Sequence, residues 1–317
     1  MKCEKNKNNC FKFHISYFIF LLFFLSCNNN STQKKFLIGF SQCNSAETWR
    51  EMMNKEMQAE IAKHSEMELI ISDAQQDNSK QVADVENFMV KEIDLLIISP
   101  NEAQPLTAVV EQAYKQNVPV IVLDRKILSD NYTVFIGADN YKIGVEAGKY
   151  AAKLLNGKGN IVEIFGLKGS TPAIDRHSGF VEGIKDYPEI KIIYEQDGAW
   201  LKAKGREIME NALQRFEKID LVYGHNDPMA TGAFIAAKNL NRNKEIYFLG
   251  IDGLAGAEGG AQSVANGELN ATFLYPTGGK DAIECAVKIL NKETVKKNSI
   301  LNTATIDTSN VHGFLKH

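Results

Sequence analysis

A carboxylate and a guanidinium group follow directly on a short apolar run in the segment PVIVLDRKI, residues 119–127. The run ends at Asp124, and Arg125 is the next residue. A carboxylate accepts hydrogen bonds from two hydroxyl groups at once, and a guanidinium group donates in a rigid planar fork. The two side chains can pair with each other, or they can face a ligand that needs both an acceptor and donors. The residues alone leave both interpretations open.

Further polar side chains come just after other apolar runs. They are Ser41, Arg176, Asn226 and Asp252. With the acid–base pair, they supply the hydroxyl, amide, carboxylate and guanidinium groups that suit an uncharged ligand with many hydroxyl groups. Each has a structural alternative when taken singly. Asn226 and Asp252 lie in strings that often form turns, and Arg176 can pair with its neighbour Asp175.

The chain contains two tryptophans, Trp49 and Trp200, and each lies soon after a predicted strand. A lone tryptophan is most often part of the core. A flat aromatic side chain can also stack on the apolar face of a sugar ring while polar groups take its hydroxyls. The placement of both residues beyond strand ends favours contact with a ligand.

An enzyme acting on sugars is the alternative from a different functional class. Asp124 and Asp252 would be its paired carboxylates. The neighbouring arginines favour ionised acceptors over an acid of raised pKa. The sequence therefore predicts a binding site without catalytic residues or cofactors.

Other classes of site find little support in the composition. No cluster of cysteine and histidine has the spacing of zinc ligands, so no metal site is predicted. The glycine-containing segment GLKGSTP, residues 166–172, lacks the lysine–serine ending of a phosphate-binding loop. The formal net charge is −3, which implies no attraction to nucleic acid.

The N-terminus predicts export. Lysines precede the apolar stretch ISYFIFLLFFLSC, residues 15–27, which is shorter than the about 20 residues that a bilayer-spanning helix needs. Cys27, preceded by a small serine, resembles the lipidated cysteine of bacterial lipoproteins; a plain signal peptide with an incidental cysteine is the alternative. We expect residues 1–26 to be a lipoprotein signal peptide and residues 27–35 a polar tether. The mature protein is then periplasmic or extracytoplasmic, and a lipid at Cys27 is its only membrane anchor.

From residue 35 onward, short apolar runs alternate with amphipathic segments of helical spacing. Strict alternation of strand and helix predicts parallel sheets covered on both faces. The number of units suggests two doubly wound, Rossmann-like lobes in an α/β fold. Ligands of such sheets bind beyond the carboxyl ends of the strands, where the polar residues and tryptophans are found.

Several strings of this sequence resemble those of type I periplasmic sugar-binding proteins of the ribose and galactofuranose type. The likeness runs from residue 35 to about residue 310 and includes the strings IGFSQCNSAETWR, LLIISPNEAQPL, VPVIVLDR, STPAIDRHSGF, DGAWLKAKG, VYGHNDPMATGA and GIDG. The resemblance implies a monosaccharide of the pentose, fructose or galactofuranose type, bound between the lobes. It assigns Ser41, Trp49, Arg50, Asp124 and Arg125 to the first lobe's share of the site. It assigns Arg176, Trp200, Asn226 and Asp252 to the second lobe's share.

The resemblance also implies a hinge that the chain crosses three times, near Asp139, Tyr275 and Thr303. The N-terminal lobe would comprise residues 36–138 and 277–303. The C-terminal lobe would comprise residues 139–276 and 304–312. Tyr275 lies near a position at which the family has a polar hinge residue. The segment TFLYP departs from the family pattern there, so the resemblance does not imply a ligand contact for Tyr275.

A closer likeness is to the extracellular sugar-sensing domains of Bacteroidetes hybrid two-component regulators, including fructose sensors. It is carried by DRKILSDNYTVFIGADNYKIG and KGSTPAIDRHSGF. Two partners are therefore expected as alternatives: the permease of an ABC sugar transporter, or a sensor kinase. The sequence stops at His317 without a kinase, which favours a free-standing lipoprotein or the sensor part of a longer or broken gene.

Overall fold

The computed structural model describes residues 35–315. The expected signal peptide at 1–26, the lipidation site Cys27 and nearly all of the tether lie outside the described residues. In the described part of the chain, no helix has both the length and the apolar character needed to cross a membrane.

The first sheet contains six parallel strands in the order β11-β5-β4-β3-β1-β2. The central strand β3 is buried along its whole length, because helices cover both faces. The strand bounds are β1 Phe36–Gln42, β2 Met67–Asp73, β3 Leu95–Ser99, β4 Val120–Leu123, β5 Val134–Gly137 and β11 Asn298–Ile300.

The second sheet also contains six strands, in the order β12-β10-β9-β8-β6-β7. The strand bounds are β6 Lys158–Phe165, β7 Glu189–Asp197, β8 Leu221–Gly224, β9 Tyr247–Asp252, β10 Ala271–Leu274 and β12 Thr305–Asp307. All pairs are parallel except β10 with β12, which is antiparallel. The chain enters β12 a few residues after the carboxyl end of β11, which leaves no room for the crossover that a parallel strand needs.

The two sheets confirm the predicted α/β fold of two doubly wound lobes. The chain passes from one sheet to the other between β5 and β6, between β10 and β11, and between β11 and β12. The helix bounds are α1 Thr48–Ile61, α2 Asn78–Val90, α3 Ala103–Lys115, α4 Asn140–Leu154, α5 Thr171–Ile184, α6 Lys202–Arg215, α7 Asp227–Asn239, α8 Gly260–Ala265 and α9 Gly279–Leu290.

Helices α4 and α5 pack backbone against backbone, and this contact positions Arg176 on α5. A Cβ atom added at Gly144 would lie 2.3 Å from the carbonyl oxygen of Arg176. One added at Gly179 would lie 2.1 Å from the carbonyl oxygen of Tyr141. Side chains at these glycines would push the helices apart and move Arg176 away from the carboxyl edge of the second sheet.

Candidate functional site

A cavity with an empty volume of about 300 Å³ lies between the carboxyl edges of the two sheets. We call it the cleft cavity. It is lined by Glu47, Trp49, Arg50, Asp124, Arg125, Pro172, Arg176, Trp200, Asn226, Asp252 and Tyr275. The structure thus brings together all of the site residues expected from the sequence except Ser41.

Asp124 is the centre of the first lobe's polar network. Its backbone is in the left-handed region, with φ 66°, as the chain turns sharply at the end of β4. The carboxylate accepts hydrogen bonds from Arg50 Nη2 at 2.9 Å and from Ser99 Oγ at 3.2 Å. Burial acts to raise the pKa of Asp124, but the guanidinium groups of Arg50 and Arg125 outweigh it and hold the pKa below its ordinary value. Asp124 is therefore an ionised acceptor.

Arg125 is not the closest partner of Asp124. Its Nε lies 3.7 Å from Asp124 Oδ2, and its Nη1 donates to the carbonyl oxygen of Asn101 at 2.8 Å. The Nε of Arg125 is buried and has no hydrogen-bond partner within residues 35–315. Of the two buried ion pairs of Asp124, the one with Arg50 is thus the shorter, and Arg125 keeps a donor without a hydrogen bond at the cavity wall.

Arg176 is the corresponding donor of the second lobe. Its Nε donates to Asn140 Oδ1 at 2.8 Å, and its Nη1 donates to the backbone carbonyl of His225. The guanidinium carbon lies 4.8 Å from the ring centre of Tyr275. These contacts hold a planar cation at the cavity, as recognition of hydroxyl groups requires.

The indole ring of Trp200 contacts two guanidinium groups and the backbone at Gly166. The guanidinium carbons of Arg125 and Arg176 lie 5.5 Å and 5.4 Å from its ring centre. A Cβ atom added at Gly166 would come within 2.1 Å of the indole, so only glycine leaves room for the ring. Asn226 Nδ2 donates to the backbone oxygen of Trp200 at 3.0 Å. Two residues predicted from separate motifs are thus joined directly.

Trp49 is bonded to the segment that follows β10. Its Nε1 donates to the backbone oxygen of Tyr275 at 2.9 Å, and the two ring centres lie 5.4 Å apart. Trp49 and Trp200 are 6% and 5% exposed. Both are largely buried, yet both line the cleft cavity. Their stacking on a sugar ring stays a prediction.

Asp252 differs electrostatically from Asp124. Burial raises its pKa, and the neighbouring carboxylate of Asp227 raises it further, by more than Arg176 lowers it. Burial also raises the pKa of Asp227 to about 6. The expectation that the arginines keep the site's carboxyl groups ionised is therefore wrong for Asp252, because burial and the nearby Asp227 outweigh the effect of Arg176 on its pKa.

Ser41 does not line the cavity. It is fully buried, and its Oγ has no partner in the described chain. Alternation along β1 instead turns Gln42 toward the site, where its Oε1 accepts from Arg50 Nη1 at 2.9 Å. Of the two polar residues at this strand end, Gln42 thus bonds to a side chain of the cavity wall and Ser41 does not. Contact of Ser41 with a ligand stays a prediction.

The sequence interpretation did not assign three lining residues: Glu47, Pro172 and Tyr275. Glu47 accepts from Asn44 Nδ2 at 2.6 Å and lies within the quoted string AETWR. Pro172 lies in the first turn of α5, on the same string as Arg176. The Tyr275 hydroxyl donates to Asp124 Oδ1 at 2.9 Å and accepts from Asn140 Nδ2 at 3.4 Å. Tyr275, to which the sequence assigned no ligand contact, therefore bonds to the central carboxylate.

Comparison with known proteins agrees with this geometry. The family described as "Periplasmic binding protein domain" matches residues 38–294. The galactofuranose-binding protein YtfQ of Escherichia coli (strain K12) is 34% identical over 279 residues, covering 85% of this chain and 86% of the relative. The ribose import binding protein RbsB of Bacillus subtilis (strain 168) is 32% identical over 272 residues, covering 85% and 87%.

Solved structures extend the comparison. The fructose binding periplasmic domain of the hybrid two-component system BT1754 is 48% identical with a TM-score of 0.85, covering 88% of this chain and 92% of that one. A galactofuranose binding protein is 30% identical with a TM-score of 0.81, covering 88% and 96%. The fold is thus that of proteins that bind sugars.

Proposed function

Because this chain belongs to the periplasmic binding protein family, whose matched members bind sugars, we propose that it binds one monosaccharide in the cleft cavity and signals its presence by closure of the two lobes. One observation carries the proposal. An ionised acceptor, two guanidinium donors and both tryptophans of the chain surround the cleft cavity. Together they offer hydrogen-bonding groups for hydroxyls and flat apolar rings, the combination that a monosaccharide needs.

We assign each group of lining residues a role in this proposal. Asp124 accepts hydroxyl hydrogens, and Arg125 and Arg176 donate to hydroxyl oxygens. Trp49 and Trp200 pack against the apolar parts of the ring. Arg50 acts through Asp124, because its Nη2 is already bonded to that carboxylate. The roles of Asn226 and Asp252 are amide and carboxyl contacts from the second lobe.

Among monosaccharides, we place fructose first. The support is the 48% identity to a fructose binding periplasmic domain, against 34% and 32% for the galactofuranose and ribose proteins. Pentoses and galactofuranose are the remaining candidates. We expect the site to distinguish these sugars by single hydroxyl groups. A site built to hydrogen-bond a hydroxyl group rejects a ligand that lacks it.

We propose that binding is not followed by a reaction. The lowered pKa of Asp124 leaves that carboxylate without a proton to donate to a leaving group. Asp252, with its raised pKa, is the residue that an enzymatic alternative would need as its acid. Release of product from aryl glycosides or disaccharides, lost in D252N, would establish that alternative in place of ours.

The partner follows from closure. In the proposal, lobes with boundaries near residues 138, 276 and 303 rotate about three crossings, and a partner binds the closed form. An ABC sugar permease is the first candidate, in line with the ribose import relative. A sensor kinase is the second, favoured by the 48% identity to a domain of a hybrid two-component system. Permease and ATPase genes beside this one would support import, and an adjacent kinase gene would support sensing.

We also propose that the protein is exported and held at the membrane by a lipid on Cys27. Mass spectrometry of the membrane-extracted protein tests this, because a lipidated chain begins at Cys27 and carries the added acyl mass. An unmodified N-terminus produced by cleavage elsewhere would contradict it.

Titration calorimetry with a panel of sugars tests the central proposal. The panel contains D-fructose, D-ribose, L-arabinose, D-galactose and D-glucose, and thermal unfolding is followed in parallel. We expect one-to-one binding and a raised Tm with fructose or with a pentose. If every one of these sugars at millimolar concentration gives no binding heat and no Tm shift, the proposal is refuted for fructose and for these pentoses.

A further inference from the structure

A group of three potential metal ligands lies in the second lobe, away from the cleft cavity. It consists of Glu163 on β6, His177 on α5 and Glu195 on β7. One ligand atom from each residue lies within 4.8 Å of the others. None of the three lines the cleft cavity. We call this group the lateral cluster.

The sheet itself brings the two carboxylates together. Glu163 and Glu195 are direct partners in the parallel pairing of β6 with β7. Glu163 is fully buried and Glu195 is exposed. Like charges directly opposite on neighbouring strands destabilise a sheet, so a cation held between these two carboxylates would stabilise the pairing.

His177 lies over the carboxylate pair and supplies the third potential ligand. Its Nδ1 is 3.0 Å from both carboxylate oxygens of Glu163, and its side chain is 31% exposed. One imidazole nitrogen and two carboxylate oxygens form a donor set that binds Zn²⁺ and other first-row divalent ions. The partial exposure of His177 and the exposure of Glu195 leave a path by which an ion can enter.

A second set of contacts orients these ligands. His225 is fully buried, and its Nε2 lies 2.9 Å from Glu163 Oε1. The ring of Phe165 packs against both imidazoles, with ring centres 4.8 Å from His177 and 4.7 Å from His225. Hydrogen bonds from behind a ligating carboxylate are the usual means of fixing its orientation. His225 is a positioning residue in this arrangement.

We propose that Glu163, His177 and Glu195 form a site for a divalent first-row transition metal, with Zn²⁺ the ion whose ligand preferences they fit best. Solvent completes the coordination, since the chain offers three ligands on one open side. The alternative is a metal-free ion pair, in which a protonated His177 lies between the two carboxylates. The proposal does not depend on which sugar the cleft cavity binds, or on whether it binds one.

Titration calorimetry of the EDTA-treated, dialysed protein with ZnCl₂ tests the site. We expect one Zn²⁺ per chain at this site, with affinity at least tenfold weaker in H177A and in E195Q. Glu195 is exposed, so E195Q should fold normally, as thermal unfolding verifies. Monosaccharide binding by E195Q should equal that of the unsubstituted protein, which separates this test from that of the proposed function.

His64 offers a matched control. Its ring nitrogens lie 3.8 Å from Glu60 and 3.5 Å from Glu66, so it too is a histidine between two glutamates. H64A should keep the Zn²⁺ affinity. Co²⁺ in place of Zn²⁺ should give absorption bands that disappear in H177A and lack a thiolate charge-transfer band, which excludes a cysteine site. Failure of the chain to bind Zn²⁺, or binding that survives in both H177A and E195Q, would overturn the proposal in favour of the metal-free ion pair.

Discussion

The hydroxyl group of Tyr275 donates a hydrogen bond to Asp124 Oδ1 across 2.9 Å, and so joins the two lobes. Tyr275 follows β10 of the second sheet, and Asp124 follows β4 of the first. Burial raises the pKa of the Tyr275 phenol, and the Asp124 carboxylate raises it further, so the tyrosine keeps its proton and remains a donor. The Asp124 carboxylate, which we propose binds the sugar, is therefore hydrogen-bonded to the segment after β10, one of the three proposed hinge crossings.

The substitution Y275F should weaken sugar binding because it removes this donor without changing the ring. A hydrogen bond to a charged group is worth about 1.5–3 kcal/mol, which corresponds to roughly a 10- to 100-fold rise in Kd. Calorimetric titration of Y275F with the sugar that the unsubstituted protein binds most tightly measures this rise in Kd. Tyr150 provides a matched control, since its hydroxyl lies 3.1 Å from Asp307 Oδ2 away from the cavity. If Y275F and Y150F bind equally well, the tie between Tyr275 and Asp124 has no part in binding.

Removal of the Asp124 carboxylate should abolish sugar binding while the protein stays folded. D124A leaves the buried Arg50 without its partner, which costs about 3–5 kcal/mol, less than the stability of most domains of this size. We therefore expect D124A to show a native circular dichroism spectrum, a lowered Tm and no detectable sugar binding. D124N should be less destabilised, because the amide oxygen still accepts from Arg50, and should bind at least tenfold more weakly. A D124A protein that is unfolded, together with a D124N protein that binds normally, would give Asp124 a purely structural role.

The tryptophan fluorescence of this protein should report the cavity directly. The chain has two tryptophans, and both line the cleft cavity. Ligand binding should change the emission intensity or maximum in the unsubstituted protein. W49F should leave the response of Trp200, and W200F should leave that of Trp49. W200A should weaken sugar binding at least tenfold, because it removes the ring that Arg125 and Arg176 flank. Sugar binding seen by calorimetry without any change in emission would place the ligand elsewhere.

The strand-end residues of the site could be predicted from the sequence because a parallel sheet gathers the carboxyl ends of its strands at one edge. Asp124, Asn226 and Asp252 lie at or just beyond the ends of β4, β8 and β9. Apolar runs are easy to recognise, and the residue after each is then known to within one or two positions. The same precision is too low for a side chain within a strand, where a shift of one residue reverses the face. For this reason the sequence alone does not decide whether Ser41 or Gln42 points toward the cavity.

Properties that depend on distant residues could not be predicted in this way. The true partner of Asp124 is Arg50, 74 positions away, while the adjacent Arg125 bonds to Asn101. The lateral cluster likewise joins three elements whose contact is set by strand register and helix packing. The pKa of Asp252 depends on its burial and on the nearby Asp227. Neither can be read from the residues next to Asp252 in the sequence.

The two carboxyl groups of the second lobe should make the stability of the ligand-free protein fall as the pH rises. Burial raises the pKa of Asp227 to about 6 in the folded state, and burial and Asp227 raise that of Asp252. A carboxyl group with a raised folded-state pKa stabilises the fold while it is protonated. This contribution is complete below the unfolded-state pKa of about 4 and is lost as the pH rises through the folded-state value. The contribution of these two groups to the free energy of unfolding should therefore decrease between pH 4 and pH 7, by about 1.4 kcal/mol for each unit of pKa shift.

The variant D252N isolates this effect, because it removes one charge of the pair and keeps the shape of the side chain. Urea unfolding at a series of pH values from 4 to 8 should show a flatter slope for D252N and a higher stability than the unsubstituted protein at pH 7 to 8. The exposed Asp186 supplies the control, and D186N should keep the original slope. Titrations elsewhere in the chain are common to all three proteins and cancel in the comparison. Parallel pH profiles for D252N and the unsubstituted protein would mean that Asp252 is hydrated in solution, as it would be if the lobes stand apart in the absence of sugar.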